Sequence, residues 1–294
     1  MKRKSLSVNW RTSVGFVDYL GAMDRSFHLH LISDATGETL NAVAKAVCAQ
    51  FEGFEAREYF YALVRSQPQL ARAIEHVAAR PGIVFFTMVN QSLRHHLEAE
   101  CAKIGVPCIS ILDLAVSALG KFLGVEESHR PGGQHEVDSR YLERVEAVNY
   151  SIQHDDGQSL ERLEQADVVL VGASRTSKTP TCVYLTIRGV RAANIPLVPG
   201  VEPPEQLLNL KRPLVVGLYA APERLLQIRR NRLTTMGETR ATDYVDLEAV
   251  RAEITETRRL FESMNWPALD VSRRSIEETA ATVLNWLTER NPAE

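Results

Sequence analysis

Between Gly172 and Thr179 the chain reads Gly-Ala-Ser-Arg-Thr-Ser-Lys-Thr, a run able to do phosphate chemistry. A short loop entering a helix points backbone N–H groups at an anion, and the helix dipole favours the same negative charge. Lys178 would add an ammonium to that cradle, and the Thr179 hydroxyl is placed to hold a Mg²⁺ ion. The spacing is that of a Walker A loop, with Ser177 standing where the second glycine is usual. The candidate nucleotide-binding residues are Gly172, Ala173, Ser174, Arg175, Thr176, Ser177, Lys178 and Thr179. Lys178 is also a candidate catalytic residue, expected as an exposed loop side chain with little packing. An ordinary strand-to-helix turn containing Ser-Lys-Thr satisfies the same spacing.

Three other stretches carry chemical groups. His129-Arg-Pro-Gly-Gly-Gln-His135 has no periodicity, and its paired glycines let backbone approach a ligand closely. Arg130 can give an anion a bidentate contact, and His135 or His129 can carry a proton or act as nucleophile; a domain linker has the same composition. His154-Asp-Asp-Gly157 offers two acids and a histidine for metal or base chemistry, and equally a solvated helix end capped by Gly157. Ser33-Asp-Ala-Thr-Gly-Glu-Thr39 follows a strand and opens a helix, where capping by Ser33, Asp34, Thr36 or Thr39 is the simpler role. His28 and His30 read as packed or edge residues of that strand. The helix opened by Pro222 carries Arg224, Arg229, Arg230 and Arg232, which could clamp phosphates or form a solvated face. No strand ends in an obvious Mg²⁺-binding acid, since Asp167 precedes the loop's strand and Asp270 comes very late.

The elements that must position these residues alternate. Val168 to Val171 is a short β-branched run of the kind buried inside a sheet, and a helix runs from the loop to about Gly189. Upstream, strands are expected at 27–33, 58–64, 83–89 and 106–112. Helices follow at 70–79 and 93–104, and another carries Leu40, Val43, Ala44, Val47 and Phe51 on one face. A helix with Tyr141, Val145, Val148 and Ile152 along one face precedes His154. Downstream come strands at 193–198, 213–219 and 268–271, and short and arginine-rich helices. A long amphipathic helix spans 246–264, for core or dimer packing, and a last helix starts at the capping box Ser275-Ile-Glu-Glu278. This order defines an α/β protein with parallel sheets. It divides into an N-terminal extension, 1–25, read as disordered or as a product of a start placed upstream of Met23; an α/β domain, 26–123; a connecting loop and helix, 124–157; and a P-loop kinase-like domain, 158–294.

Composition excludes several classes. The 294 residues have a formal net charge of −3 and are 45% hydrophobic, so no basic excess points to nucleic acid. No apolar run reaches membrane-spanning length, and no signal peptide is legible. Cys48, Cys101, Cys108 and Cys182 are scattered, as buried thiols of a reducing cytoplasm are. His95 and His96 are adjacent on a helix and make a poor metal pair.

The stretches Ser33–Thr39, Arg130–His135 with His154–Gly157, and Gly172–Pro180 together resemble the pyruvate, phosphate dikinase regulatory proteins. Ala192–Pro199 and Asp270–Thr279 add to the likeness, which runs from about residue 26 to the C-terminus. That family also contains regulators of phosphoenolpyruvate synthase; the forms seen here favour the dikinase branch. The resemblance implies a cytoplasmic bifunctional enzyme. It would use ADP to phosphorylate an active-site threonine of pyruvate, phosphate dikinase, and inorganic phosphate to remove that group as pyrophosphate. It also implies that Gly172–Thr179 is the nucleotide loop, with Ser177 the family's usual departure. Lys178, Arg130 and His135 are then the candidate catalytic residues, Thr179 the metal residue, Mg²⁺ the expected ion, and a homodimer an option. A small-molecule kinase and a non-enzymatic nucleotide sensor are the competing readings.

Overall fold

The computed structural model describes residues 25–126, 139–236 and 243–290, and the chain falls into two compact units that part between Glu136 and Val137. The first holds β1 (Ser26–Ser33), α1 (Glu38–Cys48), β2 (Glu55–Tyr61), α2 (Gln67–Ala79), β3 (Ile83–Thr87), α3 (Gln91–Ile104), β4 (Cys108–Ser110) and α4 (Asp113–Leu123). Its four strands make one parallel sheet, ordered β2-β1-β3-β4. Successive strand residues face opposite sides, so Ile32, Val84 and Phe86 pack with α2 and α3, while Leu29, Leu31 and Phe85 pack with Leu40 and Ala44 of α1.

Several boundaries move from the sequence reading for identifiable reasons. β2 starts and ends three residues earlier, because it pairs with β1 from Ser26↔Glu55 to Ile32↔Tyr61. Leu63 N and Val64 N then turn back to Ala35 O and Ser33 O and close the loop after β1. On α1 only Leu40 and Ala44 are buried; Val47 and Phe51 are exposed, and the helix stops before Phe51. α4 has no counterpart in the sequence reading. None of its residues is buried, and a short apolar run shows neither a strand nor a helix period clearly.

The second unit begins with α5 (Ser139–Gln153) and two 3₁₀ turns, Asp155–Gly157 and Leu160–Gln165. It continues through β5 (Val168–Gly172), α6 (Lys178–Thr186), β6 (Ala192–Pro196), α7 (Glu205–Leu208), β7 (Leu214–Tyr219) and α8 (Pro222–Met236). A third 3₁₀ turn (Asp243–Val245), α9 (Leu247–Ser263), β8 (Ala268–Asp270) and α10 (Ile276–Arg290) complete it. Its sheet, β6-β5-β7-β8, is also parallel throughout. β5 is buried along its whole length: Val168 and Leu170 pack against α6 and α10, Val169 and Val171 against Tyr150, Leu163 and Phe261. The Tyr141, Val145, Val148, Ile152 stripe of α5 does share a face, but that face is exposed, and Ala147, Tyr150 and Ser151 turn inward. At α10 the capping box forms in both directions, Glu278 N to Ser275 Oγ at 3.1 Å and Ser275 N to Glu278 Oε2 at 2.8 Å. Among the described residues no helix is long and apolar enough to cross a membrane.

Both sheets thus place their first strand inside, the second on one side, and the third and fourth on the other. Within each sheet, connections leave the first and third strands in opposite directions, the switch point at which ligands of such sheets commonly bind. The loops after β1 and β5 both start there.

Candidate functional site

The loop after β5 is shaped by one close approach. Gly172 has φ 154°, and a Cβ on it would stand 2.1 Å from Leu218 O of β7, so only glycine lets the backbone turn this near the neighbouring strand. Arg175 (φ 75°) and Ser177 (φ 60°) are then left-handed, and α6 starts at Lys178 with no side-chain bond from its N-cap, Ser177. Ser177 therefore adopts the backbone region for which glycine is the usual choice.

The carbonyls at the start of this loop all accept hydrogen bonds. Gly172 O accepts from Leu197 N at 3.0 Å. Ala173 O accepts from Thr176 Oγ1 and from Lys178 Nζ, each at 2.9 Å. Ser174 O accepts from Arg229 Nη2 at 3.2 Å. Among the described residues none accepts a hydrogen bond from the backbone N–H groups of residues 174 to 178. A run of such N–H donors in a loop of this kind could bind an anion.

Lys178 is not the exposed side chain expected from sequence: it is 6% exposed. Burial disfavours the ammonium and lowers its pKa to about 8, against an opposing pull from Asp156. Its charge is thus poorly solvated and available to an anion.

Asp155, in the turn before β5, is the acid that meets Thr179. Thr179 Oγ1 donates to Asp155 Oδ1 at 3.0 Å. Asn194 of β6 joins the two, its Nδ2 donating to the same Asp155 oxygen and lying 3.5 Å from Thr179 Oγ1, while its Oδ1 accepts from Asp156 N at 3.2 Å. The turn is anchored by buried His154, whose ring stacks on Tyr150 at 3.8 Å and whose Nδ1 meets Tyr150 O at 2.8 Å. His154 O takes Asn194 N at 3.2 Å. The stretch is therefore more than a solvated helix end. A hydroxyl beside a carboxylate suits Mg²⁺, which takes hard oxygen donors and completes its shell with water and phosphate. No cluster of three or more His, Cys, Asp or Glu suited to a metal occurs among the described residues. Asp167 is engaged with Arg191 at the opposite end of β5, and Asp270 accepts from Ser272 N.

Sequence missed Glu253 and Tyr244, and did not separate Arg229 from its neighbours on α8. Of the four arginines on α8, Arg224, Arg230 and Arg232 are exposed, but Arg229 is buried behind the loop and paired with Glu253. In the first unit, Ser33 and Asp34 do not cap α1, whose N-cap is Gly37 with no side-chain bond. Asp34 Oδ2 instead accepts from Val89 N at 2.7 Å, and Ser33 Oγ from Thr87 Oγ1 at 2.9 Å, tying the end of β1 to that of β3. Arg130, His129 and His135 lie outside the described residues.

The fold is that of an α/β protein with two parallel sheets, and sequence comparison makes the assignment narrower. Residues 29–284 match the Kinase/pyrophosphorylase family, and the chain belongs to it. A Caulobacter vibrioides relative, named "Putative pyruvate, phosphate dikinase regulatory protein", is 57% identical over 262 residues, covering 89% of this chain and 83% of its own. Relatives of the same name from Hyphomonas neptunium and Maricaulis maris are each 52% identical, covering 90% and 91% of this chain and 95% of their own.

Lys178 gives the fold a distinctive pH response. The unfolded chain holds this proton to about pH 10.4, whereas the folded protein releases it near 8. Between those values the unfolded state binds more protons, so this group makes stability rise with pH. Urea denaturation of the native protein and of Lys178→Met, across about pH 7 to 10, should show a rising component in the first that the second lacks. Parallel pH profiles would mean that Lys178 is solvated.

Proposed function

We propose that this chain is an ADP-dependent serine/threonine kinase and phosphate-dependent phosphorylase that switches pyruvate, phosphate dikinase off and on. The observation that carries the reading is the loop after β5: its carbonyls are engaged by other groups, its N–H groups at 174–178 have no acceptor among the described residues, and Lys178 opens the helix. Family membership and the name of the relatives supply the target.

In the forward direction the N–H groups and Lys178 hold the ADP phosphates. The target threonine oxygen bonds to the β-phosphorus, the bond to the bridging oxygen breaks, AMP leaves, and the threonine proton passes to a base. Charge on the transferring group is offset by donors already in place, so little reorganisation is needed. Thr179 and Asp155 would hold a Mg²⁺ ion, which would neutralise phosphate charge. In the reverse direction inorganic phosphate takes the cradle, an oxygen of it attacks the phosphothreonine phosphorus, and pyrophosphate leaves as threonine is restored. Arg130 and His135 belong to the same proposal as residues that assist transfer. By the domain limits read from sequence the loop belongs to 158–294, and Asp155, Arg130 and His135 to the connecting segment 124–157.

Intact-mass analysis of dikinase incubated with this protein and ADP should show one added phosphoryl group. Lys178→Ala should cut that rate by about a hundredfold or more with an unchanged circular dichroism spectrum; a full rate would remove the loop from the mechanism. Asp155→Asn should raise the Mg²⁺ concentration for half-maximal activity by about tenfold or more, and an unchanged requirement would place the metal elsewhere. Phosphorylated dikinase should lose its phosphoryl group only when phosphate is supplied, releasing pyrophosphate, and ADP should inhibit by competing for the same cradle. Full dephosphorylation without phosphate, yielding orthophosphate alone, would identify a hydrolytic phosphatase instead.

A further inference from the structure

The bulkiest fully buried side chain of the described residues is a charged one, Arg229. Its guanidinium is held in a fork by Glu253, Nη1 to Oε2 at 2.7 Å and Nη2 to Oε1 at 2.8 Å. The same two nitrogens also reach other segments: Nη2 donates to Ser174 O at 3.2 Å and Nη1 to Tyr244 O at 3.4 Å. The guanidinium lies over the Tyr244 ring, 4.5 Å from its centre, and the Tyr244 hydroxyl meets Ser174 Oγ at 3.4 Å. One side chain thus ties α9, the 243–245 turn and the loop after β5 to α8.

Resting on the phosphate-cradle reading, we propose that Arg229, clasped by Glu253 and Tyr244, is the positioning residue of that cradle: it holds the Ser174 carbonyl away from the mouth and so keeps the loop's N–H groups turned to the anion. Stability alone is a poor reason for this ion pair. Leu225 and Leu226 on the turn of α8 before Arg229, and Val250 and Ile254 near Glu253 on α9, belong to one buried apolar cluster, and a buried pair is often replaced by apolar residues without loss. An apolar pair could not donate to Ser174 O. The next residue shows what that bond restrains. Arg175 has φ 75°, a left-handed conformation that a non-glycine residue leaves when nothing holds it. Relaxing it rotates the peptide between Ser174 and Arg175, which turns a carbonyl to the mouth in place of an N–H. The cradle would lose a donor and gain a repulsive oxygen.

The test uses the full chain, with isothermal calorimetry for ADP and, separately, for inorganic phosphate. The variants are Arg229→Met/Glu253→Leu, which removes both charges together, and Arg229→Lys, which keeps a partner for Glu253 but lacks the planar fork. The double variant should unfold at or above the native thermal midpoint, yet bind both anions about tenfold more weakly or worse. Equal weakening for the two is the mark of a cradle effect, which a packing defect with a lowered midpoint would not give. Native-like affinity in a folded double variant overturns the positioning role and leaves the cradle standing. Absence of ADP and phosphate binding by the native protein itself overturns both. If the double variant does not fold, Arg229→Lys decides: weaker binding supports the role, and unchanged binding overturns it.

Discussion

The carbonyl oxygens of Gly172, Ala173 and Ser174 are each engaged by a hydrogen-bond donor. Leu197 N, Thr176 with Lys178, and Arg229 are those donors. A peptide group is a dipole with two ends, so a loop presents N–H groups on one side only if its carbonyls find partners on the other. Much of the second unit contributes. β6 runs on into Leu197, α6 supplies Lys178, α8 supplies Arg229, and α9 supplies the Glu253 that keeps Arg229 in place. The loop's electrostatics are therefore a property of the packed domain.

The same packing explains how the chain manages without the second glycine of the Walker A spacing. Ser177 is left-handed at φ 60°, which costs about 1–2 kcal/mol for a residue with a Cβ. Strain of this kind persists only where the surroundings over-determine it. Here Gly172 is pressed against β7, Arg175 and Ser177 lie between fixed carbonyls and the start of α6, and Thr181 N closes the first turn on Ser177 O. The replaced glycine thus changes the cost of the backbone path while the path itself is kept.

Asp155 stands at Thr179 for a comparable reason. Its chain position, before β5, is not where a strand-end acid would be sought. Asn194, buried on β6, holds it there through its side-chain amide and fixes the adjacent Asp156 by its backbone N–H. A satisfied polar network of this kind, anchored on buried Asn194, favours one arrangement. Asp156 in turn bears on the charge of buried Lys178. Loop, lysine, hydroxyl and acid are consequently one electrostatic unit, on which the proposed two-way phosphoryl transfer would draw.

Local pattern by itself determined the alternation of strands and helices, the buried β5, the capping box at Ser275 and the loop at Gly172–Thr179. Each depends on neighbours within a few residues, through side-chain period, β-branching, turn chemistry or a fixed motif spacing. Tertiary structure alone decided which arginine of α8 is buried, that the apolar stripe of α5 faces outward, that Ser33 and Asp34 serve β3 instead of capping α1, and which acid meets Thr179. The partners in those cases lie far off in the chain: Glu253 is 24 residues from Arg229, and Asn194 is 39 from Asp155. Periodicity reports that a face is apolar or that a charge is present. What that face or charge meets is set by strand order and helix packing, which bring together groups that no local pattern relates.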